Sequence, residues 1–234
     1  MLCTVGTKNQ QTREAWLEAT LEKIPPGSRI LDAGAGERKY KKFCSHLKYI
    51  SQDFAQYDGK GDGKALQTKM WDTSNLDIVS DITSVPEPDD SFDAIMCIEV
   101  LEHLPEPILA IKEFSRLLKP EGHLILTAPF CSLTHMAPYH FYSGYNRYFF
   151  EKHLDDYGFK IIELNENGNF FEFLAQELRR LPEVEKDYTK GAVRLFDKIA
   201  QYWLLCSLER SSRNDRGSWN LLNFGFHVHA IKKG

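Results

Sequence analysis

The sequence predicts an α/β protein with a doubly wound, mostly parallel sheet. Short apolar runs rich in β-branched and aromatic residues, such as SRILDAG, YISQDF and FDAIMCIEV, alternate with stretches of helical periodicity. The runs are apolar at nearly every position, which is typical of strands that helices bury on both faces. A chain of 234 residues suits one such domain, so we expect a single domain over residues 1–234.

The first elements follow from this pattern. Residues 12–24 place Trp16 and Leu21 on one helical face, and the proline pair before Gly27 ends this leading helix. The first two strands are SRILDAG and YISQDF, and the short apolar run LDIVS precedes Asp81 as a third.

The clearest helix is PILAIKEFSRLLKPEG, where Ile108, Ile111 and Leu118 recur at the helical period. Pro120 and Gly122 are predicted to end it. The strand HLILTAPF follows at once.

From about Gly168 to Asn220 the rhythm changes, because two helical patterns occur with no strand between them. The second pattern consists of Ala192, Leu195, Phe196, Ile199, Trp203 and Cys206. We expect this apolar stripe to pack on the domain, with a dimer face or a substrate lid as alternatives. The predicted divisions are therefore an N-terminal helix (1–27), a core (28–165), a helical insertion (166–222) and a last-strand segment (223–234) that contains FGFHVHAIKK.

Composition excludes some classes of function. A net charge of −4 and a pI near 6.1 give no basic field for a phosphate backbone, so nucleic acid is not an expected partner. No apolar run approaches the roughly twenty residues that cross a bilayer, and the N-terminus lacks the layout of a signal peptide. We expect a cytoplasmic protein without a membrane partner. Five cysteines without a C-x-x-C pair predict reduced thiols rather than a zinc site.

The stretch ILDAGAGERKY, residues 30–40, contains a glycine turn. A dinucleotide-binding turn needs a third small residue for close helix packing, and Lys39 occupies that place. Asp32 and Glu37 flank the turn with negative charge, which repels a diphosphate. The small residues 34–36 let the main chain approach a ligand, so the turn favours a cationic ligand without phosphate.

Two further acids follow strands. Asp53 ends the second strand about twenty residues after the glycines, where a carboxylate can accept both hydroxyls of a ribose. Asp81 follows the third and can accept an adenine amino proton. Each alone is commonly a turn former, but three acids at successive strand ends indicate a binding site.

The stretches ILDAGAG, ISQD, DITSVPEPDDSFDAIMCIEVLEHLPEP and EFSRLLKPEGHLILTAPF together resemble the class I S-adenosylmethionine-dependent methyltransferases, in the small-molecule branch called type 11. The resemblance covers about residues 29–130 and extends weakly to Leu164. It implies a seven-stranded Rossmann-like sheet with an antiparallel last strand, a position that FGFHVHAIKK matches.

The resemblance also implies a cofactor site for S-adenosylmethionine. Asp32, with Gly34, Ala35 and Gly36, would lie against the methionine part. Asp53 would hold the ribose, and Asp81 with Ile82 would contact the adenine. The end of the fourth strand would line the pocket with Cys97, Ile98 and Glu99, followed by His103.

Three histidines are candidate general bases, because the pKa of histidine lies near neutrality: His103, His135 and His140. A structural hydrogen bond or a cofactor contact is the alternative for each. His135 and His140 could also join Glu99 or Glu102 around an ion, but no resident metal is predicted.

Two other features concern access to the site. The long link of residues 54–75 predicts a shortened helix or a loop, in which Tyr57 and Trp71 either cover the site or pack on the domain edge. The aromatic and histidine side chains of residues 135–148 are predicted to recognise the methyl acceptor.

The predicted function is therefore methyl transfer to a small molecule, a sugar or a secondary metabolite, by direct displacement at the cofactor methyl group. An NAD-dependent oxidoreductase is one alternative. A non-catalytic protein of the same fold, which binds the cofactor or a partner, is another. The helical insertion also suggests a homodimer.

Overall fold

The computed structural model describes residues 3–191 and 194–234. These residues form two compact units. The smaller comprises the described residues of Met1–Glu14 and Glu166–Phe224, and the larger comprises Ala15–Asn165 and Gly225–Gly234. The single-domain organisation therefore stays a prediction.

One sheet organises the protein. Its strands are β1 Arg29–Ala33, β2 Lys48–Asp53, β3 Ile78–Val79, β4 Phe92–Ile98, β5 Leu118–Pro129, β6 Phe159–Asn167 and β7 Gly225–Lys232. Over the described ranges the sheet has seven strands in the order β3-β2-β1-β4-β5-β7-β6. The strands from β1 to β5 pair in parallel, and β7 is antiparallel to β5. The predicted mixed sheet with an antiparallel last strand is confirmed.

The two faces of the sheet have separate apolar cores. On one face, Leu31 and Cys97 belong to a cluster that includes buried residues of α2 Pro107–Leu117 and α3 Arg147–Asp156. On the other face, Ile30 and Met96 pack with Leu17, which lies in the second half of α1 Asn9–Leu21. Alternation along the strands explains the division, because neighbouring strand residues point to opposite faces.

The connections on the β3 side of the sheet contain less helix than the predicted alternation of strands and helices would give. A 3-10 turn, Lys41–Phe43, is the only helical segment described between β1 and β2. Residues 54–77 form a loop, as the glycine-rich link predicts. We call this segment the cover loop. Positive φ values at Gly59, Gly61 and Gly63 explain why no helix forms there.

The helix α2 ends three residues before the predicted stop. It closes at Leu117, and β5 begins at Leu118, before Pro120. Leu118 is buried against the same core that α2 covers. Burial of the strand therefore decides the boundary rather than the proline and glycine.

The insertion contains the two predicted helices, α4 Phe170–Tyr188 and α5 Leu195–Arg213. Asn169 caps α4 by accepting from the amides of Phe171 and Glu172. Ala192, which the sequence placed in the second helical pattern, lies outside the described residues. Among the helices of the described part of the chain, none has both the length and the apolar composition needed to cross a bilayer.

Candidate active site

The turn after β1 requires glycine at two positions. Gly34 and Gly36 have φ values of +78° and +49°, in the left-handed region. A β-carbon on Gly34 would lie 2.6 Å from both methyl groups of Val100, and one on Gly36 would collide with the indole ring of Trp71. Both conformation and space therefore exclude a side chain from the turn.

The amides of this turn are already used by the protein. Gly34 and Ala35 donate to the carbonyl oxygen of Gln52, at 2.9 and 2.8 Å, and Gly36 donates to Oδ2 of Asp53 at 2.9 Å. A 3-10 turn, rather than an α-helix, follows the glycines. A diphosphate needs such amides and a helix N-terminus, so this turn is not a dinucleotide cradle.

Asp32 is an acid at the turn whose pKa is clearly shifted. Its side chain is 2 % exposed, and Oδ2 accepts a 2.5 Å hydrogen bond from the hydroxyl of Tyr49. The pKa of Asp32 is raised to about 7, chiefly by burial; the hydrogen bond from Tyr49 opposes this rise, and the charge of Asp53 adds to it. A cation bound here would favour the carboxylate, which matches the charge that the sequence predicts for the ligand.

The other two strand-end acids differ from each other. Asp53 is 7 % exposed, and its two oxygens accept from the amides of Gly36 and Ala55. Asp81 is exposed, and its Oδ1 accepts from the amide and hydroxyl of Thr83, which is the turn-forming alternative. Ile82 is buried in the core beside this turn.

The end of β4 carries a strained residue. Glu99 has a φ of +55°, a conformation that is uncommon outside glycine, and its Oε1 accepts a 2.8 Å hydrogen bond from Thr127. Ile98 is buried on the α1 face, whereas Cys97 lies in the core on the opposite face, where burial raises its pKa. Cys97 was predicted to line the pocket, and the structure places its side chain in the core.

The three candidate histidines meet in one cluster, although the sequence separates them by up to 37 residues. The ring centroid of His103 lies 4.7 Å from that of His135 and 5.9 Å from that of His140. His135 and His140 lie 4.8 Å apart. The structure therefore brings all three to one place.

Hydrogen bonds fix two of the rings. Nδ1 of His103 lies 2.6 Å from the carbonyl oxygen of Tyr139, and Nδ1 of His135 lies 2.8 Å from that of Leu133. A carbonyl only accepts, so Nδ1 carries the proton and Nε2 the lone pair in both neutral rings. Nε2 of His140 lies 3.1 Å from the hydroxyl of Ser132.

Burial makes His103 a weak base. Burial, and then the proximity of His135 and His140, lower the pKa of His103 to about 4. Burial also lowers the pKa of His140. His103 is therefore neutral near pH 7, and it suits a hydrogen-bonding role better than proton abstraction, which works best when the pKa lies near the working pH.

Within residues 3–191 and 194–234, one group of side chains could hold an ion. Glu102, His103 and His135 each offer a ligand atom within 4.8 Å of the others. Carboxylate and imidazole groups form a common ligand set for transition metals. The sequence analysis predicted no resident metal, and that stays a prediction.

The cover loop joins the loop of residues 131–146. Leu66 forms a bridge with His135, and its amide donates to the carbonyl oxygen of Thr134 at 3.2 Å. The rings of Tyr57 and Tyr139 are 6.5 Å apart, and those of Tyr57 and Trp71 are 5.8 Å apart. Trp71 lies against Gly36, so the cover loop reaches from the glycine turn to the histidine cluster.

Sequence reasoning missed three polar residues of the site: Tyr49, Gln52 and Thr127. Gln52 is fully buried, with its side chain bonded to Ser80. A glutamine inside an apolar strand was the available signal. The roles of Tyr49 and Thr127 depend on strand register, which a single sequence does not provide.

The comparisons identify the class. A family model described as a methyltransferase domain matches residues 7–164, more than half of the chain. The chain therefore belongs to the methyltransferase domain family, in the class of S-adenosylmethionine-dependent methyltransferases with the class I fold. The cofactor of this class is S-adenosylmethionine.

Particular relatives share only part of the chain. A ubiquinone biosynthesis O-methyltransferase of Xanthomonas campestris pv. campestris (strain B100) is 32% identical over 105 residues, 44% of this chain and 43% of that protein. A second, from Xanthomonas axonopodis pv. citri (strain 306), is 32% identical over 118 residues, 49% of this chain and 48% of that protein. The matches thus span less than half the length of these curated relatives.

Solved structures share the fold. A SAM-dependent methyltransferase from Archaeoglobus fulgidus superposes with a TM-score of 0.58 at 16% identity, covering 95% of this chain and 94% of that one. Phosphoethanolamine N-methyltransferase 2 of Haemonchus contortus, in complex with S-adenosyl-L-methionine, gives 0.54 at 16% identity, covering 95% of this chain and 52% of that one.

Proposed function

We propose that this protein transfers the methyl group of S-adenosylmethionine to a hydroxyl group of a small ring-containing molecule. The assignment of the cofactor rests on the glycine turn. The turn contains the buried carboxyl group of Asp32, and its main-chain amides already donate hydrogen bonds within the protein. Such a turn suits a cationic ligand and lacks donors for a diphosphate, which disfavours the NAD alternative.

The same residues fit the cofactor. Asp32 offers a buried carboxylate to an ammonium group, and glycines at 34 and 36 keep the main chain free of side chains. Asp53 is held by two amides, so its oxygens are fixed where ribose hydroxyls would be recognised. Asp81 and Ile82 would meet the adenine, and Ile98 with Glu99 would line the wall.

The bound cofactor supplies a sulfonium-activated methyl group for direct displacement. The protein's task is then to align the acceptor and exclude water, because charge disperses rather than accumulates as the new bond forms. Trp71 and Tyr57 of the cover loop shield the turn. Of the three histidines, His135 and His140 are the proposed bases, and His103 positions the loop through Tyr139.

The assignment of the methyl acceptor rests on the chemistry of the 131–146 loop. His135, Tyr139 and His140 gather aromatic rings and proton acceptors beside the histidine cluster. Flat rings stack on such side chains, and a base can take a hydroxyl proton. A sugar or a secondary metabolite fits this chemistry, and the names of the relatives support oxygen as the acceptor atom.

A transfer assay tests the proposal. Cell extract fractionated by size is incubated with the protein and cofactor labelled on the methyl group, and the products are identified by mass. Label in a small ring compound supports the proposal. Tight NAD(H) binding without S-adenosylmethionine binding contradicts the assignment of the cofactor. Binding of S-adenosylmethionine without transfer to any acceptor supports the non-catalytic alternative.

We also propose that a second copy of the chain covers α5. Five apolar side chains of α5 follow one helical stripe and are between 53% and 76% exposed: Leu195, Phe196, Ile199, Tyr202 and Trp203. At ~200 Å² for a whole side chain they expose about 650 Å². That area approaches the ~800 Å² that each partner contributes to a stable interface and exceeds what monomers commonly expose.

The remaining proposals concern the class of acceptor, the cellular location and the domain organisation. The acidic net charge supports a small-molecule acceptor rather than nucleic acid. We propose a cytoplasmic location and a single methyltransferase domain over 1–234 with its insertion at 166–222.

A further inference from the structure

Tyr49 lies beside the glycine turn, although it is outside the stretches that carry the family resemblance. In the parallel register of β1 and β2, Tyr49 pairs with Ile30 and Ser51 pairs with Asp32. Side chains two residues apart share a face, so Tyr49 and Asp32 stand on the same side of the sheet. The Tyr49 hydroxyl donates its hydrogen bond to Oδ2 of Asp32.

Asp32 has few other polar neighbours. Asp53 adds negative charge. The thiols of Cys44 and Cys97 are further titratable groups near this carboxyl group, although Cys97 packs in the core on the opposite face of the sheet. Burial raises the pKa of both, to about 12 for Cys44. They are therefore neutral near pH 7. Among the residues that the structure describes, Tyr49 is the one hydrogen-bond donor to the Asp32 side chain, and it engages Oδ2 alone.

Tyr49 stays a donor throughout the physiological range. Burial, and then the charge of Asp32, raise the pKa of its phenol well above the ordinary value. The ammonium group of Lys41 lies 5.5 Å from the centre of its ring, and Arg38 opposes the rise. These two cations face Tyr49 rather than the carboxyl group.

We propose that Tyr49 is a positioning residue for the cofactor: its hydroxyl orients the Asp32 carboxyl group and favours its ionised form, which leaves Oδ1 for the ammonium group of the cofactor. This inference rests on the proposed function, because it assumes a cationic ligand at the turn. Tyr49 acts through Asp32 and does not itself touch the reacting atoms.

The arrangement makes cofactor affinity depend on pH. In the free protein, protonated and ionised Asp32 coexist near neutral pH, since its pKa is about 7. A bound ammonium group selects the ionised form, so binding releases a proton and affinity rises with pH up to about 7. Above roughly pH 8 the amino group of the ligand loses its own proton, and affinity falls again.

Calorimetric titration with S-adenosylmethionine and S-adenosylhomocysteine between pH 5.5 and 8 tests the inference. The samples are the wild type, Tyr49→Phe, Asp32→Asn and the control Tyr188→Phe, whose ring is exposed on α4. Without its donor, the Asp32 carboxyl group ionises at higher pH. We expect Tyr49→Phe to bind roughly tenfold more weakly at pH 6.5 and to approach the wild type near pH 8. Asp32→Asn should bind weakly at every pH, and Tyr188→Phe should match the wild type.

The outcomes separate the two proposals. A wild type that binds neither ligand at any pH contradicts the proposed function. A wild type that binds both with the same affinity from pH 5.5 to 7.5 overturns the role of Tyr49 alone. An equal loss of affinity at every pH in Tyr49→Phe, with a lower melting temperature, would reduce Tyr49 to a packing residue and also overturn it.

Discussion

The indole of Trp71 occupies the space that a side chain on Gly36 would need. The contact joins the cover loop to the glycine turn, and it means that substitution of Gly36 disturbs two parts of the site together. The strain of a positive φ adds to the collision.

Gly36→Ala should therefore weaken binding of S-adenosylmethionine by at least tenfold. Gly27→Ala is the matched control, because Gly27 has a φ of +81° and nothing within 4 Å of an added β-carbon. The control should lose about 1–2 kcal/mol of unfolding free energy and keep its affinity. Calorimetry and thermal unfolding measure both quantities; equal affinity in Gly36→Ala and the wild type contradicts the site map.

Asp53→Ala and Asp81→Ala should each weaken cofactor affinity without unfolding the protein. Asp53 should cost more, roughly tenfold to a hundredfold, because its buried carboxylate also holds the amide of Gly36. Asp81 is exposed and bonded to Thr83, so its loss should cost a few-fold. Calorimetry measures the affinities, and circular dichroism checks that the variants fold. Unchanged affinity in both variants would contradict the assignment of these acids to the cofactor site.

Asp32→Asn should make the unliganded protein more stable at pH 8. The folded pKa of Asp32, about 7, lies above its ordinary 3.8, so its contribution to stability is complete below about pH 4 and is lost as pH rises through 7. Asparagine removes the buried charge, and we expect a gain of about 1–4 kcal/mol at pH 8. Chemical denaturation at pH 8 and pH 4 measures it, and a variant less stable than the wild type at pH 8 contradicts this expectation.

His103 should destabilise the protein in acid. Its folded pKa of about 4 lies below the ordinary 6.5, so the unfolded chain binds the proton first and stability falls from pH 6.5 toward 4. The shift corresponds to about 3 kcal/mol. His103→Gln should flatten this part of the stability curve in denaturant titrations. An unchanged slope in the variant would show that His103 is already protonated in the folded state near pH 6.

Trp203→Lys should convert the proposed dimer to a monomer. A lysine at position 203 of the α5 stripe would remove a charge from water when two copies pair through this surface. Light scattering after size exclusion measures the mass. Glu183→Lys, an exposed charge change on α4, should leave the mass unchanged. A wild type that is monomeric at high micromolar concentration would remove the basis for this interface.

Much of the sheet was predictable because its strands are buried on both faces and read as continuous apolar runs. The glycine-rich link between β2 and β3 predicted a loop or a shortened helix, but the lack of an α-helix between β1 and β2 was not predicted. The number of strands and the antiparallel β7 came from the family resemblance, whereas the order of the strands appears only in the structure.

The positions of Asp53 and Asp81 at or just after strand ends were predictable, whereas other features of the candidate site were not. Cys97 follows the motif, but strand alternation turns its side chain into the core. The clustering of His103 with His135 and His140 depends on how the 131–146 loop folds over the end of β4, which no local pattern encodes. Tyr49 and Thr127 act across strands, so their partners appear only with the register.

The bridge between Leu66 and His135 has a kinetic consequence, since the cover loop contacts the glycine turn through Trp71 and the histidine cluster through the nearby Leu66. An incoming nucleoside that displaces Trp71 would therefore also disturb the backbone between Leu66 and Trp71, and with it the bridge to His135. Steady-state kinetics should accordingly show compulsory ordered addition, with the methyl donor entering before the acceptor and its demethylated product leaving last.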